Sequence, residues 1–307
     1  MTTGRTTVAF VLLPGVHLLD LAGPAQAFHT AGNLGHPYDL AYVAGAEPGE
    51  VLSAQGLPLT ATTEWPDLDP GDLLVVPGWR AAYDLVAGPR LSREAAERLR
   101  AHHAAGGEVA SVCAGADALG QAGLLDGRRC TTHHDLQDAL SRRYPKARVV
   151  RDVLFTSDDR IVTSAGIASG IDLSLHLLAV RHGPALAARV ARDMVVYARR
   201  NGDQPQESVL LRHRNHLDDT VHHVQDVIDA RFAEPLPLSA LADGAGVSER
   251  TLTRAFVAAT GLTPLRYQQA LRRERADHLL AAGTTMESAA RAVGFDDARM
   301  LRRLRAR

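Results

Sequence analysis

Three stretches constrain the fold more than anything else in the chain. "TTVAFVLLPG" (6–15) is a continuous apolar run, and "GDLLVVPG" (71–78) and "EVASVC" (108–113) are strands that, like it, close on a turn. A strand with one wet face alternates apolar and polar residues, so a run apolar throughout is covered on both faces. "YDLAYVAG" (38–45) and "RIVTSAG" (160–166) read as further strands. Helical stretches lie between them. "GPAQAFHTAG" (23–32) has Pro24 near its first turn, and "SREAAERLRAHHAAGG" (92–107) has Ser92 as cap and Gly106-Gly107 as stop. "ASGIDLSLHLLAVRHG" (168–183) closes the pattern. The alternation predicts an α/β fold, an open, mostly parallel sheet flanked by helices. Ligands of such sheets bind beyond the carboxyl ends of the strands. Asp20, placed on the loop after the first strand, and Gly78 and Cys113 all follow strand ends, so they are expected to converge.

Within "SVCAGADALG" (111–120), Cys113 sits on a tight turn between a strand and a helix, where a nucleophile would stand. A thiol at a helix N-terminus feels the dipole and nearby amides, which favour thiolate, so a lowered pKa is expected. Cys130 reads as an ordinary buried strand residue. Two cysteines give no disulfide framework. No apolar run reaches the roughly 18 residues of a membrane span, and the N-terminus has no secretory cleavage pattern. A cytoplasmic protein without a membrane partner is expected.

Charge is unevenly spread. Residues 236–307 hold 12 Arg against 7 Asp or Glu, while the preceding 235 hold 22 basic and 28 acidic groups. A basic module on an acidic body points to nucleic acid, although a solvated Arg-rich helix surface gives the same count. "RNGDQPQESVLLRHRNH" (200–216) lacks periodicity and reads as linker; "DDTVHHVQDVIDARF" (218–232) is an amphipathic helix. His213, His216, His222 and His223 have no carboxylate or Cys frame at ligand spacing, so no metal is expected there.

"LSALADGAGVSERTLTRAFVAATG" (238–261) has the layout of a helix-turn-helix. A short helix ends near Gly244, a turn passes through Gly246 and Val247, and Ser248 caps a second helix. That helix turns Arg250, Thr251, Thr253 and Arg254 outward, toward a major groove. Arg can pair with guanine in a bidentate manner, and Thr can touch a base edge or a thymine methyl. A long helix follows over 262–283, with Thr263 as cap and Pro264 first, and then "TMESAARAVGFDDARMLRRLRAR" (285–307) repeats the layout. Two such units would enter successive grooves about 34 Å apart.

This C-terminal module resembles the AraC/XylS family DNA-binding domain through "GVSERTLTRAF", "GLTPLRYQQALRRERADHLL" and "AARAVGFDD". The resemblance implies Arg250, Thr253 and Arg254 as groove contacts of the first unit and Arg299, Arg302 and Arg303 of the second. The chain ends at Arg307, where such domains continue, and Arg305 stands where an aromatic core residue is usual, so a poorly packed second unit is expected. The first 185 residues or so resemble the ThiJ/PfpI superfamily, a flavodoxin-like, class I glutamine-amidotransferase-like fold. The marks are "LLPGVHLLDLAGP", "LLVVPGW", "SVCAGADALGQAGLLDGRRCTTHH" and "RIVTSAGIASGIDLSLHLL".

The combined layout resembles GlxA-type transcriptional regulators. It implies a ligand-sensing, dimerising domain over 1–195, a linker over 196–216 and a DNA-binding domain over 217–307. Double-stranded DNA, a small effector and a second copy are the expected partners, with RNA polymerase a further candidate and no cofactor. The family's effectors are small nitrogenous metabolites, and an acid such as Asp20 suits a cation. The resemblance aligns Asp20 and His133 with residues that face the family's cysteine, so Asp20, Gly78, Cys113, Ala114 and His133 are the expected ligand site. The alternative is an isonitrile-hydratase-like or glyoxalase-like enzyme using Cys113, Asp20 and His133. Ala114 weighs against it. The protease-like branch has His at that position as a base, and alanine can neither donate nor accept a proton.

Overall fold

In the computed structural model, residues 5–46, 49–80, 91–196, 200–281 and 283–306 are described. The chain forms two compact units, Met1–Gln206 and Glu207–Arg307. The first begins β1 (Thr6–Leu12), α1 (Leu18–Asn33), β2 (Tyr38–Ala44), β3 (Gly49–Leu52), β4 (Pro58–Ala61), β5 (Leu73–Val76). It continues α2 (Arg93–Ala104), β6 (Glu108–Val112), α3 (Gly115–Gln121), β7 (Arg129–Cys130), α4 (Gln137–Arg143), β8 (Arg148–Val149). It ends with β9 (Phe155–Asp158), β10 (Ile161–Ser164), α5 (Ser169–His182) and α6 (Pro184–Asp193).

Among the described residues the main sheet has the order β2-β1-β5-β6-β10-β9. All its pairings are parallel except β9 with β10. The apolar runs explain the order. β5 and β10 are buried at every position, and β1 from Val8 onward, so these strands lie inside the sheet. Helices α1, α5 and α6 pack together, while α2 packs on α3 and β6. Strand order reverses between β1 and β5, and the carboxyl ends of β1, β5, β6 and β10 open on the same side.

Two boundaries differ from expectation. The first helix starts at Leu18 rather than Gly23, so Asp20 lies in its first turn and Pro24 inside it. Proline there removes the amide that would bond the Asp20 carbonyl, a cost that tertiary packing around a buried helix absorbs. The stretch 200–216, read as linker, is structured. Arg200 to Gln206 bond to the first unit: the Leu154 amide donates to the Gly202 carbonyl at 2.9 Å, and Arg200 Nη2 stands 2.6 Å from Asp172 Oδ2. Val209–Arg212 forms a short helix, α7, whose first amide donates to Glu274 in the second unit's long helix at 2.7 Å. The segment's bonds run to scattered sites on other elements, and a periodicity search does not register such contacts.

The second unit continues with α8 (Asp219–Arg231), α9 (Leu238–Gly244), α10 (Glu249–Thr260), α11 (Pro264–Ala281), α12 (Met286–Ala292) and α13 (Ala298–Arg305). Caps fall where the sequence puts them: Ser248 Oγ accepts from Thr251 N, and Thr263 Oγ1 from Arg266 N. Thr285 and Asp297 cap α12 and α13 in the same way. Val221, Val224, Ile228, Leu252, Phe256 and Tyr267 fill the first core; Ala289, Ala290, Val293, Phe295 and Leu301 fill the second. Arg272 joins the turns. Its guanidinium donates to the Phe232, Glu234 and Gly294 carbonyls at 2.7, 2.9 and 3.3 Å and lies over the Phe295 ring.

The second helix-turn-helix is packed, contrary to expectation. Leu301 is fully buried, Leu304 is half-buried, and Arg305 Nε stands 2.6 Å from Asp277 Oδ1, an ion pair off the axis of a hydrogen bond. An ion pair thus occupies the place where an aromatic was expected. Arg307 lies outside the described residues.

Candidate functional site

Cys113 follows β6 directly, with φ of 56°, the left-handed backbone of a sharp strand-to-helix elbow. Its amide donates to the Ser164 carbonyl at 3.0 Å, and its own carbonyl accepts from Thr132 Oγ1 at 2.7 Å. A non-glycine residue at positive φ is strained and is held there by its surroundings. Ile167, with φ of 45°, is a second such residue, and its amide donates to Asp20 Oδ1 at 2.8 Å.

Asp20, Gly78 and Cys113 converge as the strand ends suggested. A Cβ built on Gly78 would lie 2.4 Å from Asp20 Oδ2 and 2.6 Å from Cys113 Cβ. One on Gly166 would lie 2.4 Å from Cys113 Cβ, and one on Gly115 2.1 Å from the Val76 carbonyl oxygen. Three glycines therefore let strand ends close on the cysteine, and two of them, Gly115 and Gly166, are additions to the expected set. Ala114 is fully buried at the start of α3.

Burial raises the Asp20 carboxyl to a pKa of about 6, against the opposing pull of the Ile167 and Gly78 amides and the Cys113 thiol. Oδ2 is buried and has no partner in hydrogen-bond geometry, although the Gly78 amide and the thiol lie close enough to favour its charge. Trp79 Nε1 and Ser111 Oγ, beside Gly78 and on β6, are also buried without partners. Buried polar atoms are nearly always satisfied, so each of these three is an exception to the usual rule.

The thiol departs from expectation. Burial pushes the Cys113 pKa up, the Asp20 carboxylate pushes the same way, and the Ala114 amide only partly opposes them. α3 offers a dipole of just seven residues, and at a buried sulfur desolvation outweighs it. Burial also raises Cys130, to about 11.

Thr132 holds the elbow through its bond to the Cys113 carbonyl. The His133 ring packs against His134 at 4.1 Å between centroids, and its Nδ1 is 3.5 Å from Asp135 Oδ2. Among the described residues, His133, His134 and Asp135 also form the group whose ligand atoms lie within 4.8 Å of one another. His213, His216 and His222 are engaged otherwise: His213 bonds the Thr260 carbonyl, His216 bonds Gln225, and His222 bonds the His216 carbonyl.

On α10, an open groove of about 790 Å³ is lined by Leu238, Glu249, Arg250, Thr253, Arg254, Val257 and Ala258. Arg250, Thr253 and Arg254 thus share one surface. Thr251 does not line it; its hydroxyl stands 2.9 Å from that of the capping Ser248. Glu249 was not anticipated, because an acid in the first turn of a helix reads as a dipole partner. On α13, Arg299 and Arg302 are exposed but face carboxylates, Asp297 at 3.1 Å and Glu287 at 3.6 Å, while Arg303 is exposed. A second cavity, about 440 Å³, lies between α1, β2 and β4.

Comparison with known proteins covers both units. The DJ-1/PfpI family model matches residues 6–180, and a helix-turn-helix domain model matches residues 241–307. The chain is 30% identical to the HTH-type transcriptional regulator CdhR of Pseudomonas aeruginosa over 88% of this chain and 79% of that one. It is 29% identical to the regulator GbdR of the same organism, over 89% and 73%. An isonitrile hydratase of Pseudomonas putida is 35% identical over 55% of this chain and 69% of its own. Among solved structures, an AraC family transcriptional regulator from Pseudomonas putida aligns at a TM-score of 0.53 with 27% identity, covering 62% of this chain and all of that one.

Proposed function

From a chain that belongs to the DJ-1/PfpI family and is a transcriptional regulator with a C-terminal AraC-type helix-turn-helix domain, we infer that its elbow site is an effector pocket and not a catalytic centre. The observation that carries this reading is the buried carboxyl of Asp20, whose Oδ2 lies against Gly78 and Cys113 with no partner in hydrogen-bond geometry. A small ligand presenting a hydrogen-bond donor or a cationic nitrogen would satisfy it. Nothing at Ala114 can move a proton, and a thiol held protonated is a poor nucleophile. Effector binding would act by favouring one DNA-competence state over another. The α10 surface carrying Arg250, Thr253 and Arg254 would read the operator, with α13 as a second contact and a homodimer as the working form. A cytoplasmic location follows from DNA as partner; among the described residues no helix is long and apolar enough to cross a membrane.

The test has two arms. Genome-wide footprinting gives the bound sites, and Arg254→Ala should weaken binding to them and relax their sequence preference. Thermal-shift screening with amines and quaternary ammonium compounds should then give a ligand whose effect is lost in Asp20→Asn. Equal affinity for all DNA would overturn the regulator reading at this surface. Cysteine-dependent turnover of isonitriles or methylglyoxal would overturn the pocket reading.

A further inference from the structure

The residues that leave the first unit toward the second are fastened to both sides of the elbow. Gln206 Nε2 donates to the Thr132 carbonyl at 2.9 Å and to the Val153 carbonyl at 3.0 Å. Thr132 is also the residue whose hydroxyl holds the Cys113 carbonyl. At the other end, Arg200 grips Asp172 through its amide, Nε and Nη2, at 3.1, 3.0 and 2.6 Å. Asp172 sits in the first turn of α5, and the residues entering that helix are Gly166, against Cys113, and Ile167, bonded to Asp20. Between these ends Gly202 lies flat on β9: a Cβ there would be 2.6 Å from the Phe155 ring and 2.8 Å from its carbonyl oxygen.

We propose that residues 200–206 form a strap whose docking on the first unit is set by the state of the elbow, so that the connector to the DNA-binding unit senses the site. Two short hydrogen-bonded routes run from the elbow to the strap, one through Thr132 and one through Ile167 and α5. Both start at backbone held in the left-handed region, at Cys113 and at Ile167. Such strained positions persist only while their surroundings hold them, and a packed strap is either seated or released. A guest that repositions Asp20 or the Cys113 carbonyl would shift the balance between those two states. The strap's equilibrium between its seated and released states can be measured directly.

The proposal rests on reading the elbow as an effector site, but its test uses neither effector nor DNA. Amide hydrogen exchange is followed in the full-length protein at Arg200 and Gln206, whose amides bond Asp172 and Asp152. Gly202→Ala forces the strap off β9 and should speed exchange at both amides at least tenfold. Asp20→Asn and Thr132→Val, close in shape to the originals, should each speed it at least threefold, leaving the Leu99 amide of α2 unchanged. Wild-type exchange at the strap in both elbow variants would overturn the coupling. Unchanged exchange in Gly202→Ala would overturn the strap itself. Either failure leaves the ligand and DNA arms above standing.

Discussion

The Ile167 amide donates to Asp20 Oδ1 at 2.8 Å across 147 residues of sequence, tying the start of α1 to the loop before α5. That bond fixes one carboxylate oxygen and leaves the other, Oδ2, against Gly78 and Cys113 with no partner in hydrogen-bond geometry. The chemistry of the N-terminal unit follows from this half-satisfied acid.

Asp20 should make stability fall with rising pH. Its folded pKa of about 6 lies above the ordinary value of 3.8, so the folded state holds the proton more tightly than the unfolded chain. The contribution is fully present below about pH 4 and is lost as pH rises through 6. Up to about 3 kcal/mol is involved. Urea unfolding at pH 4 to 7 should show wild type losing about that much relative to Asp20→Asn. Parallel curves for the two proteins would contradict a raised Asp20.

Cys113 should react slowly in the native protein. With its pKa pushed up by burial and by Asp20, little thiolate exists at pH 8. Alkylation by iodoacetamide, followed by mass spectrometry, should label it at least tenfold more slowly than a free cysteine, and Asp20→Asn should narrow the gap. Rapid labelling at pH 7 would restore the nucleophile reading.

The two turn glycines of the DNA-binding unit should differ sharply. Gly246 has φ of 67° with open space around it, so Gly246→Ala meets only the left-handed backbone penalty, roughly 1–2 kcal/mol. Gly294 has φ of 82°, and a Cβ there would lie 1.8 Å from the Ala233 carbonyl oxygen. Gly294→Ala should therefore cost well over 3 kcal/mol. Denaturant midpoints rank the two, and equal losses would mean that the packing of Gly294 on Ala233 is relaxed in solution.

On DNA, Arg254→Ala should cost roughly 1–3 kcal/mol at the operator and relax specificity. Arg299→Ala and Arg302→Ala should cost less, since their guanidiniums already face Asp297 and Glu287. Competition binding at fixed salt gives the order. A larger loss at Arg299 or Arg302 than at Arg254 would make the second unit the principal reader.

Glu249 shares the α10 groove with Arg250 and Arg254. A carboxylate facing DNA is repelled by phosphates and tolerated only where it accepts from a base such as cytosine N4. Glu249→Gln should tighten binding to random DNA a few-fold while narrowing the gap to the operator. A wider gap would assign Glu249 to the helix dipole alone.

Much of this protein is local and so was legible in the sequence. Apolar runs gave β1 and β5, because a strand covered on both faces needs no polar side. Ser92, Ser248 and Thr263 mark helix starts through hydrogen bonds that span three residues. The helix-turn-helix layout is equally local, and the residues on one face of α10 follow from its turn of about 3.6 residues. What the sequence left open was decided by bonds over long separations. The α1 start moved back to include Asp20 because tertiary packing tolerates Pro24 inside the helix. The stretch 200–216 acquired structure from Asp172, Thr132 and Glu274, none of them its sequence neighbours. The thiol's state was reversed for the same reason. A helix N-terminus is visible in a sequence, whereas the depth of burial and the carboxylate placed beside the sulfur exist only once four strand ends meet.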